Sequence, residues 1–269
     1  MRRILHVSDL HFGRDRPELL DPLVETINRL TPDLVAISGD FTQRARIAQF
    51  RDAQAFLARL TPPWLAVPGN HDTPLDNLFV RLLVPWQRYR RYISAELEPA
   101  WEDDEVAIVG VNTVNHLAWQ RGRIGGHTVR RVCAAFEGHR GRRLHIAMLH
   151  HPLEHAEDVD KRLMKGARGA LRQLGDCGAD LVLSGHLHTS HARPFVDEAG
   201  VLFVQAGTGL SSRVRGEPND FNLLTVAGRR VAVEQWAADS TDRFAPIRRA
   251  GFEKHGREWQ SADAGIGHG

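Results

Sequence analysis

Residues 4–11 read Ile4-Leu5-His6-Val7-Ser8-Asp9-Leu10-His11, a short apolar run that ends in a carboxylate and an imidazole two positions apart. The same pattern returns four times. Leu34-Val35-Ala36-Ile37 runs into Ser38-Gly39-Asp40, and Trp64-Leu65-Ala66-Val67 into Pro68-Gly69-Asn70-His71-Asp72. Residues 144–149 (LHIAML) run into His150-His151-Pro152, and Leu181-Val182-Leu183 into Ser184-Gly185-His186-Leu187-His188. Short, nearly continuous apolar runs bounded by Gly or Pro read as buried strands. Between them lie helical patterns. Leu19, Leu20, Leu23, Val24, Ile27 and Leu30 form one stripe, stopped by Pro32, and Ile47, Phe50, Ala53, Leu57 and Leu60 form a second, stopped by Pro62-Pro63. Weaker helical spacing covers 126–137 and 159–175. After residue 190 the pattern changes to plain strands at 201–205, 221–226 and 231–236. Strands alternating with helices predict a layered α/β sandwich. In such folds ligands gather beyond the carboxyl ends of the strands, where all five polar clusters fall.

The chain has 269 residues, 42% hydrophobic and 25% charged, which suits one large α/β domain or two small ones. The expected division is one domain over 1–240, with 78–95 as a cap or insertion, and a frayed C-terminal tail over 241–269. No apolar run approaches the roughly 18 residues of a membrane span. Lys plus Arg is 35 against Asp plus Glu at 33, a net charge of +2, which argues against specific binding of a nucleic-acid duplex. Cys133 and Cys177 make neither a disulfide framework nor a four-cysteine zinc site, and the N-terminus turns polar at Ser8-Asp9 before a signal-peptide core develops. A cytoplasmic, thiol-reducing setting is therefore expected. In residues 78–93 (LFVRLLVPWQRYRRYI), Phe79, Leu82, Leu83 and Trp86 have helical spacing interrupted by Pro85. The expectation there is a helical insertion packed on the domain or in a homodimer face, with a lipid- or membrane-gripping surface as the alternative.

The clusters carry metal chemistry. In a strand-like stretch, residues two apart point to one side, so Asp9 with His11, and His186 with His188, can each reach one ion. Asp40, Asn70 and His150 add a carboxylate, an amide oxygen and another imidazole. Nitrogen and oxygen donors without thiolate suit Mn, Fe, Zn or Co rather than Ca or an iron–sulfur cluster. Seven ligands exceed one ion's needs and fit two ions that share a carboxylate. Such pairs, about 3.5–4 Å apart, clamp a phosphoryl group and convert bridging water to a nucleophilic hydroxide. No Ser or Cys nucleophile elbow lies near the clusters, so water is the simpler attacking group. Arg44 and Arg213 are candidate contacts for an anionic substrate, with Arg215 beside the latter. The Gly- and Ser-rich run 207–212 is a candidate backbone cradle for phosphate.

These blocks resemble the calcineurin-like binuclear metallophosphoesterases, whose pattern is D-x-H, G-D, G-N-H-D/E, a lone His and G-H-x-H. Here it reads Asp9-Leu10-His11, Gly39-Asp40, Gly69-Asn70-His71-Asp72, His150 and Gly185-His186-Leu187-His188, in order over about residues 4–190. The His-His-Pro variant and the chain length look most like the bacterial cyclic nucleotide and glycerophosphodiester phosphodiesterase branch. The resemblance implies a four-layer αββα sandwich of two mixed sheets flanked by helices. It implies one metal on Asp9, His11, Asp40 and His188, and a second on Asp40, Asn70, His150 and His186. It implies that His71 faces the substrate and assists the leaving group, with Asp72 orienting it. His150 rather than His151 is taken as the ligand, leaving His151 to contact substrate or to pack. The activity implied is hydrolysis of a small, soluble, anionic phosphodiester. The alternatives are a nucleotide-sugar or lipid-linked pyrophosphatase, a phosphomonoesterase, and a metal-holding scaffold without turnover.

Overall fold

Two stacked sheets carry the chain. The structure, a computed structural model, describes residues 1–118, 120–137, 143–155, 162–214 and 216–262. In chain order the elements are β1 (Arg2–Val7), α1 (Leu20–Leu30), β2 (Leu34–Ile37), α2 (Ile47–Ala58), β3 (Trp64–Ala66), α3 (Leu78–Leu83), α4 (Gln87–Tyr92), β4 (Ala100–Glu102) and β5 (Val106–Val111). There follow α5 (Gly126–Glu137), β6 (Leu144–Leu149), α6 (Ala167–Asp176), β7 (Leu181–Ser184), β8 (His191–Pro194), β9 (Leu202–Gln205), β10 (Asp220–Ala227), β11 (Arg230–Ala238), β12 (Phe244–His255) and β13 (Glu258–Ala262).

The first sheet has the order β13-β12-β11-β10-β1-β2-β3 and the second β4-β5-β6-β7-β9-β8. β1, β2 and β3 are parallel, as are β5, β6, β7 and β9, while antiparallel strands complete each sheet. Both sheets are mixed, as expected. Ile4, Leu34, Ile146, Leu183 and Val204 pack between the sheets. Leu23, Ile27, Phe50 and Phe56 from α1 and α2 cover the outer face of the first sheet, and Val132, Phe136, Leu171 and Leu174 from α5 and α6 cover the second. The result is helix, sheet, sheet, helix. Strands buried on both faces explain why their sequences read as continuous apolar runs rather than alternating ones.

Three expectations are corrected. The segment read as a C-terminal tail is structured: β12 pairs with β11, and β13 with β12, extending the first sheet through Ala262. Phe244, Phe252 and Trp259 are buried there, so no boundary falls at 240. Most other β12 side chains are exposed or half-buried, and Pro246 sits at an irregularity opposite Trp236, as proline in a strand requires. That mixture hid the strand from a pattern search; residues 263–269 lie outside the described part. Helix α6 begins only at Ala167, after Gly166 at φ +88°, and residues 159–161 of the longer expected helix are outside the described residues. β5, an uninterrupted six-residue apolar run, is a strand passed over in the sequence.

The third correction concerns the cysteines. α5 and α6 lie side by side on the second sheet, bringing the Cys133 and Cys177 Cα atoms to 5.4 Å, and the two are joined by a disulfide, a separation typical of such bonds. The bond closes a loop of 44 residues. Reducing it, or the Cys133→Ser change, is expected to lower stability by about 2–4 kcal/mol through the entropy returned to the unfolded chain. Thermal denaturation with and without reductant measures this. Identical melting points, or two titratable thiols in the native unreduced protein, would contradict the crosslink.

Candidate metal centre

Every strand that precedes a polar cluster ends on the same side of its parallel set, so the five clusters meet in the seam between the two sheets. The local backbone differs from the strand-like geometry expected. Asp9 and His11 lie past the end of β1 with φ of 54° and 51°, Asp40 past β2 at 53°, and His186 and His188 past β7 at 74° and 61°. Five of the seven candidate ligands thus occupy the left-handed region, where a residue bearing a Cβ is disfavoured by roughly 1–2 kcal/mol. Asp9 and His11 both lie beyond the end of β1 on left-handed backbone, so their approach to one point is not that of a continuing strand. Strain concentrated on the ligands marks a functional constraint. Glycines admit the close approach: a Cβ on Gly185 would lie 1.9 Å from Ser8 Oγ and 2.5 Å from Asp9 Oδ2, and one on Gly69 would lie 2.1 Å from Asp40 Oδ1.

Backbone carbonyls set the imidazole tautomers. A carbonyl only accepts, so His150 Nδ1–H donates to Ser38 O at 2.8 Å and His188 Nδ1–H donates to Arg213 O at 2.9 Å. Both Nε2 lone pairs are then directed inward, toward carboxylates. His188 Nε2 is 3.2 Å from Asp9 Oδ1 and His11 Nε2 is 3.4 Å from the same oxygen, which is buried and has no hydrogen-bond donor. The two Nε2 atoms are 3.2 Å apart. On the other side, His150 Nε2 lies 3.2 Å from Asn70 Oδ1, 3.2 Å from His186 Nδ1 and 3.3 Å from Asp40 Oδ2. Asp40 Oδ2 is also 3.6 Å from His11 Nε2, so this one oxygen borders both sets.

Buried lone pairs facing lone pairs repel unless a cation lies between them. With metal–ligand bonds of about 2.1 Å, coordination polyhedra have donor–donor edges of about 3.0–3.4 Å, close to the spacings above. The donors therefore fit two divalent ions sharing Asp40: one among Asp9, His11, His188 and Asp40, the other among Asp40, Asn70, His150 and His186. The clusters Asp9–His11–His188 and Asp9–Asp40–His150 gather as candidate ligand groups on distance alone.

The acid–base properties follow. Burial pushes the Asp40 carboxyl up, but the neighbouring imidazoles, His150 foremost, outweigh it and hold the group below the usual carboxylate range. Burial opposes charge on His150 too, yet Asp40 raises it to about 9, so the site attracts positive charge. Asp72 behaves oppositely. Burial first, then Asp40, raises it to about 7.

Asp72 does not orient His71. Its carboxylate accepts from the backbone N–H of Phe41, Thr42 and Gly69 at 3.2, 2.9 and 2.9 Å and from the Thr42 hydroxyl at 3.1 Å. It clamps the Asp40 loop to the Asn70 loop. His71 is held instead by Gln43, whose carbonyl accepts from His71 Nδ1–H at 2.7 Å. Neutral His71 accordingly offers an acceptor at Nε2, and a donor there only when protonated. His151 is also reassigned. It is 2% exposed, with Nδ1 2.8 Å from the Thr113 hydroxyl and Nε2 3.0 Å from Gln120 O. Burial first, then His150, lowers its pKa to about 3. Both nitrogens are used in bracing the 113–120 loop, which leaves none for substrate.

The centre opens into a cavity of about 290 Å³, lined by Arg14, Asp40, Asn70, His71, Gln120, His186, His188, Arg213 and Val214. Arg213, a candidate substrate contact from the sequence, is part of this lining. Arg44 is exposed and outside the lining, and Arg215 lies outside the described residues. Arg14 was missed; its signal was its position three residues after His11. Four of the six N–H groups of the 207–212 run are committed within the protein, Gly207 to Asp220 Oδ1, Gly209 to Ser8 O, Ser211 to Thr208 Oγ1 and Ser212 to Arg14 O, which leaves no continuous row of donors for a phosphate. The Thr208 hydroxyl donates to Asp9 O at 2.7 Å, steadying that left-handed ligand.

The family profile of calcineurin-like phosphoesterases matches residues 2–190, the span that supplies all seven donors. The chain belongs to the calcineurin-like phosphoesterases. Among curated relatives of this phosphoesterase, it is 34% identical over 73 residues to the UDP-2,3-diacylglucosamine pyrophosphatase LpxG of Chlamydia muridarum, covering 26% of this chain and 22% of that one. It is 32% identical over 94 residues to the glycerophosphodiester phosphodiesterase GpdQ of Enterobacter lignolyticus, covering 30% and 34%. The matched stretches thus span about a third or less of those relatives. In fold, the phosphoesterase superposes on the purple acid phosphatase PPD1 from yellow lupin (Lupinus luteus) seeds with a TM-score of 0.72 and 12% identity, over 95% of this chain and 54% of that one. Two mixed sheets with flanking helices are therefore the calcineurin-like phosphoesterase fold.

Proposed function

We propose that this phosphoesterase is a two-metal hydrolase that cleaves phosphodiester bonds of a small anionic substrate, of the cyclic nucleotide or glycerophosphodiester type. The observation that carries this reading is Asp40 Oδ2, shared between two sets of inward-facing donors, with a non-ligand imidazole, His71, at the same cavity. Mn, Fe, Zn or Co suits the donor set, and two such ions supply charge for the phosphoryl oxygens and an acidified water as nucleophile.

The chain's own residues do the rest. The Nδ1–H bonds to Ser38 O and Arg213 O hold His150 and His188 with lone pairs inward. Asp72 fixes the spacing of the Asp40 and Asn70 loops. Arg14 and Arg213, which line the cavity, bind a second phosphate oxygen in this reading. His71, anchored at Nδ1, delivers a proton from Nε2 to the departing alkoxide when its ring is protonated.

A second reading, a nucleotide-sugar or lipid-linked pyrophosphatase, has the local similarity to the LpxG pyrophosphatase in its favour. The cytoplasmic placement expected from the sequence rested on free thiols and a polar N-terminus, and the Cys133–Cys177 bond removes the first of these grounds. Among the described residues, no helix is long and apolar enough to cross a membrane.

Hydrolysis of bis(p-nitrophenyl) phosphate beside p-nitrophenyl phosphate, with Mn and then chelator, tests the reading. Chelator-sensitive cleavage that favours the diester is expected. Preference for the monoester would make it a phosphatase. Silence on both, with two metals bound, would point to a pyrophosphate substrate or to a scaffold.

A further inference from the structure

Residues 78–93 divide in two: α4 packs on the domain, with Tyr89 and Ile93 buried, whereas most apolar side chains of α3 stay exposed. Leu78, Phe79, Leu82 and Leu83 are 66, 78, 46 and 77% exposed. On a helix, the pairs 78/82 and 79/83 form two adjacent i,i+4 rows, so these four side chains share one outward face of α3. Leu117 is also exposed, at 72%, and its neighbours His116 and Ala118 both accept through their carbonyls from the Arg81 guanidinium, at 2.7 and 2.8 Å. Isolated exposed leucines are ordinary, but a contiguous apolar face marks an interaction surface.

The opposite side of α3 anchors that face beside the metal centre. Arg81, 7% exposed, also donates to Thr73 Oγ1 at 3.1 Å and to Pro74 O at 3.3 Å. The Thr73 hydroxyl in turn donates to the carbonyl of Asn70, a candidate metal ligand. Gln120, three positions after Leu117, lines the cavity of the candidate metal centre. The Arg81 and Thr73 bonds fix α3, and so its apolar face, to the segment that carries Asn70.

Charge decides what covers it. Apart from the buried Arg81, residues 74–93 hold Arg88, Arg90 and Arg91 against the single acid Asp76, and Asp76 is already paired with Arg88 at 3.2 Å. Arg90 and Arg91 are exposed. Arg88 donates to Ala45 O at 2.8 Å, which places the exposed Arg44 and Arg46 in the same neighbourhood. A second copy docking by a two-fold axis would set this cationic rim against itself. An anionic bilayer complements it: leucine and phenylalanine enter the interfacial layer while arginine meets lipid phosphates.

We propose that the apolar face of α3, with its arginine rim, docks on anionic lipid bilayers. This docking does not depend on which phosphoester is cleaved. The test is co-sedimentation of the full chain with vesicles of phosphatidylcholine, with and without phosphatidylglycerol, at low and moderate salt. Binding to the phosphatidylglycerol vesicles, weakened by salt, is expected. The Phe79→Ser/Leu83→Ser variant should bind at least tenfold more weakly, and Arg90→Glu/Arg91→Glu should lose the preference for phosphatidylglycerol. Both should cleave bis(p-nitrophenyl) phosphate at the wild-type rate, and an unchanged melting point confirms that they fold. Absence of binding at low salt, or binding indifferent to the Phe79/Leu83 change, overturns the proposal. So does a wild-type dimer in sedimentation equilibrium that the same change dissociates, because the face is then covered by a second copy. Loss of diester cleavage with vesicle binding intact would count against the hydrolase reading alone.

Discussion

The Asp40→Asn variant is expected to lose diester cleavage by about a thousandfold or more, together with the ability to retain two metal ions. Removing one preorganised group that meets developing charge costs about 10²–10³ in rate, and loss of an outer partner of a metal ligand alone costs about 10–100-fold. Asp40 stands above both because its Oδ2 borders both donor sets, 3.6 Å from His11 Nε2 and 3.3 Å from His150 Nε2. An amide has no charge to share between two cations. Oδ1 has a separate duty, accepting the His71 backbone N–H at 2.8 Å, which an amide oxygen can still perform. Asn is thus chosen over Ala to isolate the bridge from the loop geometry. Metal content after gel filtration and the rate with excess Mn are the readouts. Two retained equivalents with a rate within tenfold of wild type would remove Asp40 from the bridging position.

His71→Ala separates chemistry from metal holding. Metal content should stay at the wild-type level. Cleavage of an alkyl diester such as a glycerophosphodiester should fall by about 10²–10⁴, the usual contribution of a positioned acid or base. The loss on bis(p-nitrophenyl) phosphate should be clearly smaller, since nitrophenolate departs without needing a proton. That contrast follows from the Gln43 carbonyl, which takes the Nδ1 hydrogen and leaves Nε2 as the only nitrogen that can serve the substrate. The variant is expected to fold, because His71 is only half-buried at the cavity wall and Asp72 holds the loop without it. Equal losses on both substrates would assign His71 to binding phosphate charge rather than to the leaving group. Loss of metal would make it a ligand.

The layered fold was open to reading because strands buried on both faces must be nearly all apolar, and helices on one face must carry a stripe; both are local patterns. β12 escaped for the opposite reason. Its exposed, arginine-bearing positions and Pro246 resemble a tail, and only pairing with β11 makes it a strand. The exposed face of α3 escaped likewise, since amphipathic spacing does not say whether the apolar side finds a neighbour.

The sequence by itself determined the donor types, their order and their attachment to strand ends, because ligand chemistry is a property of the side chain and each apolar run stops where the polar cluster begins. Tertiary structure alone decided which donors meet and what the neighbours do. The left-handed backbone at Asp9, His11, Asp40, His186 and His188, the bonds of His150 to Ser38 and of His151 to Thr113 and Gln120, and the Asp72 clamp all depend on contacts between distant segments. So does the Cys133–Cys177 bond, which exists because two helices pack on one sheet. Spacing along a chain carries no information on these contacts; hydrogen-bond partners and close approach are fixed only when the two sheets stack.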